Sequence, residues 1–284
     1  MPPTPPVILP PGRHLVLPGR GTTFVRELAG PPGAPTVVLL HGWLATADLN
    51  WFTAYESLGR RFRVVAIDHR GHGRGIRSRA PFRLVDCAGD TAALIETLGI
   101  GPAIVVGYSM GGPIAQLTWR DYPRAVSGVV LCATAATFPA TTPFRALVRA
   151  TALGLAVTPP RLRHKLLAAA LARGVSTGDH REWLLDEVGR HRMRDLIEAG
   201  SELGRFDSTA WIGQLDVPAT VVIPTDDDIV PVRRQRTLAG LIPEARVREV
   251  RGDHLACVDN ADEFVPELVA GCEDVATRAS ELAA

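Results

Sequence analysis

The chain has 284 residues, of which 46% are apolar and 21% are charged, so it can bury one large core or two modest ones and is not disordered as a whole. Its formal net charge of +1 gives the whole protein no electrostatic basis for binding nucleic acid. No apolar run reaches the roughly 18–20 residues that a membrane-spanning helix needs. The four cysteines form no C-x-x-C pair, which predicts buried thiols rather than a zinc site or a disulfide framework.

The proline-rich start of the chain has neither the basic stretch nor the apolar core of an export signal, so the expected compartment is the cytoplasm. A hairpin is expected next, from His14–Leu17 and Thr22–Glu27 around a Pro-Gly-Arg-Gly turn. Continuous β-branched runs then predict strands covered on both faces, as in a parallel sheet: Thr36–Leu40, Arg63–Ile67, Ala103–Val106, Ser127–Cys132 and Ala219–Ile223. Arg246–Val250 alternates apolar and polar residues, which is typical of a strand nearer the edge. Helical patterns fill the gaps at Leu84–Leu98, Met110–Asp121, Val232–Leu241 and Ala261–Cys272. This alternation predicts an α/β fold with a mostly parallel sheet flanked by helices.

One segment interrupts the alternation. Residues 138–212 contain three helical patterns and no convincing strand, and the third pattern begins at Asp179 and continues to Leu203. The expected organisation is therefore a core in two parts, residues 1–137 and 213–284, with a helical cap inserted at 138–212 over one end of the sheet.

The predicted cap contains basic, histidine and aromatic residues whose roles are open. Its first half carries six basic residues and no acid, which indicates a solvated helix face or, alternatively, a surface that contacts an anionic membrane or attracts an acidic substrate. Its three histidines are expected at the surface, whereas Trp183, Met193 and Trp211 either line a pocket or pack in the core. The basic residues are Arg145, Arg149, Arg161, Arg163, Lys165 and Arg173, and the histidines are His164, His180 and His191.

The segment Gly107–Gly111 (GYSMG) follows a predicted strand and precedes a predicted helix. Two glycines allow a sharp turn between strand and helix, which exposes the hydroxyl of Ser109 at its apex. A serine hydroxyl is a poor nucleophile at neutral pH and needs a base. We therefore identify Ser109 as the candidate nucleophile.

A base and an orienting acid are expected at the same end of the sheet. His254 follows the strand Arg246–Val250 across a short turn, and Asp226, Asp227 and Asp228 follow the strand Ala219–Ile223. One of the three aspartates should orient His254, which gives the chain order Ser, Asp, His. This chemistry requires no metal and no cofactor.

Acyl transfer also needs two backbone N–H groups aimed at the developing negative charge. One is expected from Met110, directly after the nucleophile and at a helix N-terminus. The other is expected from Trp43, because Gly42 allows the chain to bend after the strand Thr36–Leu40.

Together these motifs resemble the α/β-hydrolase superfamily, in its serine-nucleophile branch. The similar motifs, in the family's order, are HGW (His41–Trp43), DHRGHGRG (Asp68–Gly75), GYSMGG (Gly107–Gly112), PTDDDIVP (Pro224–Pro231) and GDH (Gly252–His254). The resemblance implies an eight-stranded, mostly parallel sheet, a nucleophile elbow, an oxyanion hole and an inserted cap. The family's spacing of acid and proline selects Asp227 among the three aspartates, because Pro231 lies four residues further on. Gly75 stands where the family usually has serine, which should make that loop more flexible. Dehalogenases and epoxide hydrolases of this fold use an aspartate nucleophile, so Ser109 argues against both activities.

The resemblance predicts a serine esterase that cleaves a carboxylic ester, or a related acyl bond, of a small and largely apolar substrate through Ser109, His254 and Asp227, with Trp43 and Met110 as the oxyanion hole. The alternatives are a cofactor-free perhydrolase (haloperoxidase) or acyltransferase with the same triad, a carbon–carbon bond hydrolase, or a ligand-binding module that has lost catalysis. The expected partner is a small molecule and not nucleic acid, and the oligomeric state is open.

Overall fold

The computed structural model describes residues 8–138 and 181–283, in which eight strands form one sheet of order β1-β2-β4-β3-β5-β6-β7-β8. The strands are β1 (Gly12–Leu17), β2 (Gly21–Leu28), β3 (Thr36–Leu40), β4 (Arg63–Ile67), β5 (Ala103–Tyr108), β6 (Val126–Cys132), β7 (Ala219–Pro224) and β8 (Arg246–Val250). β2 pairs antiparallel with both β1 and β4, and the remaining neighbours are parallel. The predicted fold class, an α/β fold with an eight-stranded and mostly parallel sheet, is confirmed, and β8 is the edge strand as expected.

Helices cover both faces of this sheet. Numbered over the described residues, they are α1 (Ala47–Trp51), α2 (Tyr55–Gly59), α3 (Leu84–Leu98), α4 (Gly111–Asp121), α5 (Arg181–Gly189), α6 (Met193–Leu203), α7 (Val232–Leu241), α8 (Ala256–Asp259) and α9 (Ala261–Ala283). Side chains alternate between faces along a strand. In β3, Val38 and Leu40 therefore pack with α3, α4 and α7, whereas Val37 and Leu39 pack with α1, α2 and α9.

The last helix is longer than predicted. It continues eleven residues beyond Cys272 to Ala283 because its later turns also contact the sheet. Val275 is fully buried, and the Arg278 guanidinium donates to the carbonyl oxygens of Ala219 (3.2 Å) and Glu244 (3.0 Å). None of the helices in residues 8–138 and 181–283 combines the length and apolar character needed to cross a bilayer. All four cysteines are buried, with free thiols.

The predicted cap is described only from residue 181 onward. There the single helix predicted from Asp179 to Leu203 is two helices, α5 and α6, which are separated by Arg190–Arg192. The first two predicted cap helices, the six basic residues, His164 and His180 lie outside the described residues. Thr137 and Asp207 form an antiparallel bridge, so the chain leaves the core and returns to it at neighbouring points.

Candidate active site

Ser109 lies at a sharp turn between β5 and α4. Its backbone is left-handed (φ 50°), and its N–H donates to the carbonyl oxygen of Cys132 (2.9 Å). The flanking glycines are sterically required, because a Cβ on Gly107 would lie 2.7 Å from the nitrogen of Gly112. A Cβ on Gly111 would lie 2.8 Å from the carbonyl carbon of Leu40. This geometry is that of the predicted elbow, with a serine at its apex.

Two hydrogen bonds join the three residues proposed as a catalytic triad. His254 Nε2 lies 3.0 Å from Ser109 Oγ, and His254 Nδ1 lies 2.8 Å from Asp227 Oδ2. A carboxylate can only accept a hydrogen bond, so Nδ1 carries the proton and Nε2 presents a lone pair to the serine hydroxyl. Asp226 and Asp228 are exposed, so Asp227 alone of the three aspartates orients the imidazole.

The Asp227 carboxylate is held by further donors. Oδ1 accepts from the backbone N–H groups of Ile229 (3.0 Å) and Val230 (2.8 Å), and Oδ2 accepts from Gln235 Nε2 (2.9 Å). Sequence reasoning missed Gln235. The sequence does hold a signal for Gln235, because it is a polar residue on the apolar face of α7. In the structure its side chain is completely buried.

Tyr108 is a second residue that sequence reasoning missed. Its hydroxyl donates to the backbone oxygen of His254 at 2.8 Å, and its ring centroid lies 5.9 Å from the imidazole. Burial raises the pKa of Tyr108 well above its usual value of 10, so the hydroxyl remains a donor. The residue before the nucleophile thus fixes the loop that carries the base.

The turn after β3 lies against the nucleophile. A Cβ on Gly42 would be 3.3 Å from the Ser109 Cβ, and the Gly42 N–H donates to Asn50 Oδ1 (2.8 Å). Among the described residues, by contrast, the N–H groups of Trp43 and Met110 donate to no protein acceptor. These are the two amides that the sequence predicts for the oxyanion hole, and neither hydrogen is already used by another described residue.

His41 holds the turn after β3 through two hydrogen bonds. Its Nε2 accepts from the His69 N–H at 2.9 Å, so Nδ1 is the donor to Gly42 O at 2.8 Å. Burial lowers the pKa of His41 well below its usual value, which keeps the ring neutral. His41 therefore has a structural position and does not contact Ser109 Oγ.

His41 belongs to a cluster of four histidines. Ring centroids lie 4.3 Å apart for His41 and His69, 5.5 Å for His41 and His72, and 5.4 Å for His72 and His191. Burial lowers the pKa of His69 to about 3, of His72 to about 4 and of His191 to about 3. The expectation that His191 lies at the surface is wrong, because the segment between α5 and α6 folds onto the core and places this ring in the cluster.

Hydrogen bonds and an ion pair hold the loop Asp68–Gly75. Asp68 accepts from the backbone N–H groups of Ala47 and Arg74, both at 2.8 Å, and Arg70 pairs with Asp90 at 2.7 Å. The expectation that Gly75 makes the loop more flexible stays a prediction, and the structure gives a separate reason for glycine here. A Cβ there would overlap the carbonyl oxygens of His69 and Asp68, the latter at 2.6 Å, so the close backbone packing requires glycine.

An ionic network joins α5 to this loop. Glu187 Oε2 accepts from Thr46 Oγ1 (2.9 Å) and from Arg74 Nη2 (3.2 Å). Arg74 Nη2 also donates to Asp48 at 2.8 Å, and the Asp48 carboxylate accepts from both Nε and Nη2 of Arg26 at 2.7 Å. Buried charges of both signs thus attach α5, in the predicted cap segment, to the core.

The tryptophans of this region pack against other side chains. Trp183 is buried beside Leu49 and Val188, and Trp211 stacks on Trp119 with ring centroids 6.4 Å apart. Met193 is half-buried at the start of α6. In residues 8–138 and 181–283, no group of three or more His, Cys, Asp or Glu side chains has a geometry that could hold a metal ion.

Comparison with known proteins agrees with the fold. A family model for the α/β hydrolase fold matches residues 35–173. The chain is 31% identical over 241 residues to the pimeloyl-[acyl-carrier protein] methyl ester esterase of Chromobacterium violaceum, covering 82% of this chain and 92% of that protein. It is 30% identical over 230 residues to a non-heme chloroperoxidase of Streptomyces lividans, covering 74% of this chain and 81% of that protein. The structure is similar to that of an enol-lactonase from Burkholderia xenovorans LB400, with a TM-score of 0.78, 23% identity, and coverage of 92% of this chain and 100% of the other. The chain belongs to the α/β-hydrolase family.

Proposed function

We propose that this α/β-hydrolase is a serine esterase that cleaves a carboxylic ester of a small, largely apolar molecule. The observation that carries the proposal is a pair of hydrogen bonds: His254 Nδ1–H donates to Asp227 (2.8 Å), and the hydroxyl of Ser109, on a strained elbow, donates to His254 Nε2 (3.0 Å). Strain at a buried backbone position persists where the surrounding structure holds it, and such positions cluster at active sites.

In this mechanism His254 Nε2 takes the proton of Ser109 Oγ as the oxygen attacks the ester carbon. Asp227 keeps the imidazole in the required tautomer and stabilises the imidazolium that forms. The carbonyl oxygen becomes an oxyanion, and its donors in this proposal are the N–H groups of Trp43 and Met110, which have no backbone acceptor among the described residues.

Collapse of the tetrahedral intermediate breaks the bond to the alcohol, which leaves with the proton from His254. Water then attacks the acyl-enzyme, with His254 again as the base, and the acid product is released as Ser109 regains its proton. The side chains described above supply each proton acceptor and donor in this sequence.

The relatives support two versions of this chemistry. The Chromobacterium violaceum protein is named as a methyl ester esterase and is matched over most of its length, which favours transfer of the acyl group to water. The Streptomyces lividans protein is named as a chloroperoxidase, which keeps a perhydrolase as the second candidate. In that case hydrogen peroxide, rather than water, takes the acyl group from Ser109.

The test is hydrolysis of p-nitrophenyl esters of increasing acyl length by the wild type and by Ser109→Ala. We expect kcat to fall by at least about 10³-fold in the variant, because removal of a nucleophilic serine removes the acyl-enzyme route. Ser127→Ala is the matched control. Ser127 is half-buried near the start of β6, whereas Cys132, which contacts the elbow, is the last residue of that strand. Equal rates for the wild type and Ser109→Ala would refute the proposal. Addition of hydrogen peroxide distinguishes the two candidates, since a perhydrolase forms peracid in preference to acid.

A further inference from the structure

The residue after Trp43 has a backbone conformation that leucine rarely adopts. Leu44 has φ 65°, in the left-handed region, where a side chain with a Cβ costs free energy. The peptide unit between Trp43 and Leu44 directly follows the amide expected to bind the oxyanion. Neighbouring contacts must therefore hold this turn in place.

One of these contacts comes from the junction between α5 and α6. His191 Nε2 lies 3.1 Å from the carbonyl oxygen of Leu44, and His191 Nδ1 lies 3.1 Å from the N–H of Gly73. The Gly73 N–H can only donate, so Nδ1 is the acceptor and Nε2–H is the donor to Leu44. A single imidazole thus connects the turn at Trp43 and Leu44 (the oxyanion turn) to the loop Asp68–Gly75. Burial holds the pKa of His191 at about 3, so the neutral form that makes both bonds persists at neutral pH.

The side chain of Trp43 is fixed by the same region. Its indole N–H donates to the carbonyl oxygen of Leu196 at 2.9 Å. The ring also lies so close to α6 that a Cβ on Gly200 would be 2.8 Å from its Cζ2. Contacts with α6 and with the α5–α6 junction therefore fix the oxyanion turn at both Trp43 and Leu44.

We propose that His191 is a positioning residue for the oxyanion hole: its Nε2–H bond to Leu44 O holds the left-handed turn that aims the Trp43 N–H at the carbonyl carried by Ser109. The proposal rests on the proposed esterase function. It gives the described part of the cap a role in the rate of the chemical step in addition to any role in substrate choice.

Two substitutions separate the two hydrogen bonds of His191. His191→Gln places an amide N–H near the position of Nε2 and preserves the bond to Leu44. His191→Asn places an amide oxygen near the position of Nδ1 and preserves only the bond to Gly73. The matched control is Arg194→Ala, because Arg194 is an exposed residue of α6 that bonds to Arg79 O and Glu198 and does not contact the turn.

The measurements are kcat and KM for a p-nitrophenyl ester, and the inhibition constant of a trifluoromethyl ketone, which forms an oxyanion on the serine. We expect His191→Asn to lower kcat by about 10- to 100-fold with KM changed less than about threefold, since loss of a complete oxyanion donor costs about 10²–10³-fold. Inhibition by the ketone should weaken in proportion. His191→Gln and Arg194→Ala should keep kcat within about threefold of the wild type, because the bond to Leu44 survives in both.

The proposal is overturned if His191→Asn retains full kcat, or if His191→Gln or Arg194→Ala loses as much activity as His191→Asn. Should His191→Asn fail to fold, His191→Gln still decides, because loss of its kcat contradicts the proposal and retention supports it. Failure of the esterase function itself is distinguishable, since it appears as wild-type activity that does not depend on Ser109.

Discussion

The histidine cluster predicts a loss of stability in mild acid. His69, His72 and His191 have folded-state pKa values of about 3, 4 and 3, against an unfolded value of 6.5. Between these folded values and pH 6.5, the unfolded chain binds protons that the folded chain excludes. Stability is therefore complete above pH 6.5 and decreases as pH falls toward the folded pKa values.

The magnitude follows from this difference in proton binding. A histidine that stays neutral in the fold and titrates at 6.5 when unfolded lowers the free energy of unfolding at pH 5 by about 2 kcal/mol. Protonation within the fold is disfavoured because the Nε2 atoms of His69 and His72 have no acceptor among the described residues, and the other rings lie close by. Replacing one of the three histidines should recover about one third of the free energy of unfolding that the three together lose at pH 5.

The assay is urea unfolding at pH 8 and pH 5 of the wild type, His69→Phe and His14→Gln. The difference in the free energy of unfolding between the two pH values should be about 2 kcal/mol smaller for His69→Phe. His14 is the control because it lies exposed on β1, so His14→Gln should keep the wild-type difference. If His69→Phe shows the same pH dependence as the wild type, the cluster does not exclude protons and the reasoning is refuted.

Three further substitutions test individual contacts. Gly75→Ser should destabilise the fold by about 3 kcal/mol or more, because its Cβ would overlap backbone oxygens; thermal unfolding measures this, and Gly240→Ser, at an exposed site with open space, should be neutral. Tyr108→Phe should lower kcat about three- to tenfold with unchanged KM, because one hydrogen bond of about 1 kcal/mol to the His254 loop is lost. Glu187→Gln should lower the free energy of unfolding by about 3 kcal/mol, because it removes one charge from a buried network. The control is Asp186→Asn, because the neighbouring Asp186 carboxylate is 43% accessible and pairs with Arg190, and this change should cost less than about 1 kcal/mol.

Each of these expectations has a contradicting result. A Gly75→Ser protein as stable as the wild type would show that the loop relaxes easily. A Tyr108→Phe protein with raised KM and unchanged kcat would place the tyrosine in substrate binding instead. Equal effects of Glu187→Gln and Asp186→Asn would mean that burial does not strengthen the network.

The sequence predicts those features that depend on local pattern. Five β-branched runs specify the parallel strands, and the glycines around Ser109 specify the elbow because each rejects a Cβ. The base and acid loops follow from their positions after predicted strands at one end of the sheet.

Other features depend on contacts between distant parts of the chain. Tyr108 donates to the backbone oxygen of His254, 146 residues further along the chain, and no short-range periodicity indicates that partner. The break between α5 and α6 is likewise missed, because the helical apolar pattern continues through it. Contacts with distant residues stabilise the break, among them the hydrogen bonds of His191 to Leu44 and Gly73.

The bridge between Thr137 and Asp207 has a consequence for how this protein can diverge. Because the two ends of the insertion meet, the intervening chain is a closed loop whose length can change without shifting the register of the sheet. Each doubling of such a loop costs only about 0.6 kcal/mol of closure entropy. Insertions and deletions far from the bridge can therefore change this segment while the sheet is kept. The proposed role of His191 requires, in contrast, that the part of the segment that contacts Trp43 and Leu44 be retained.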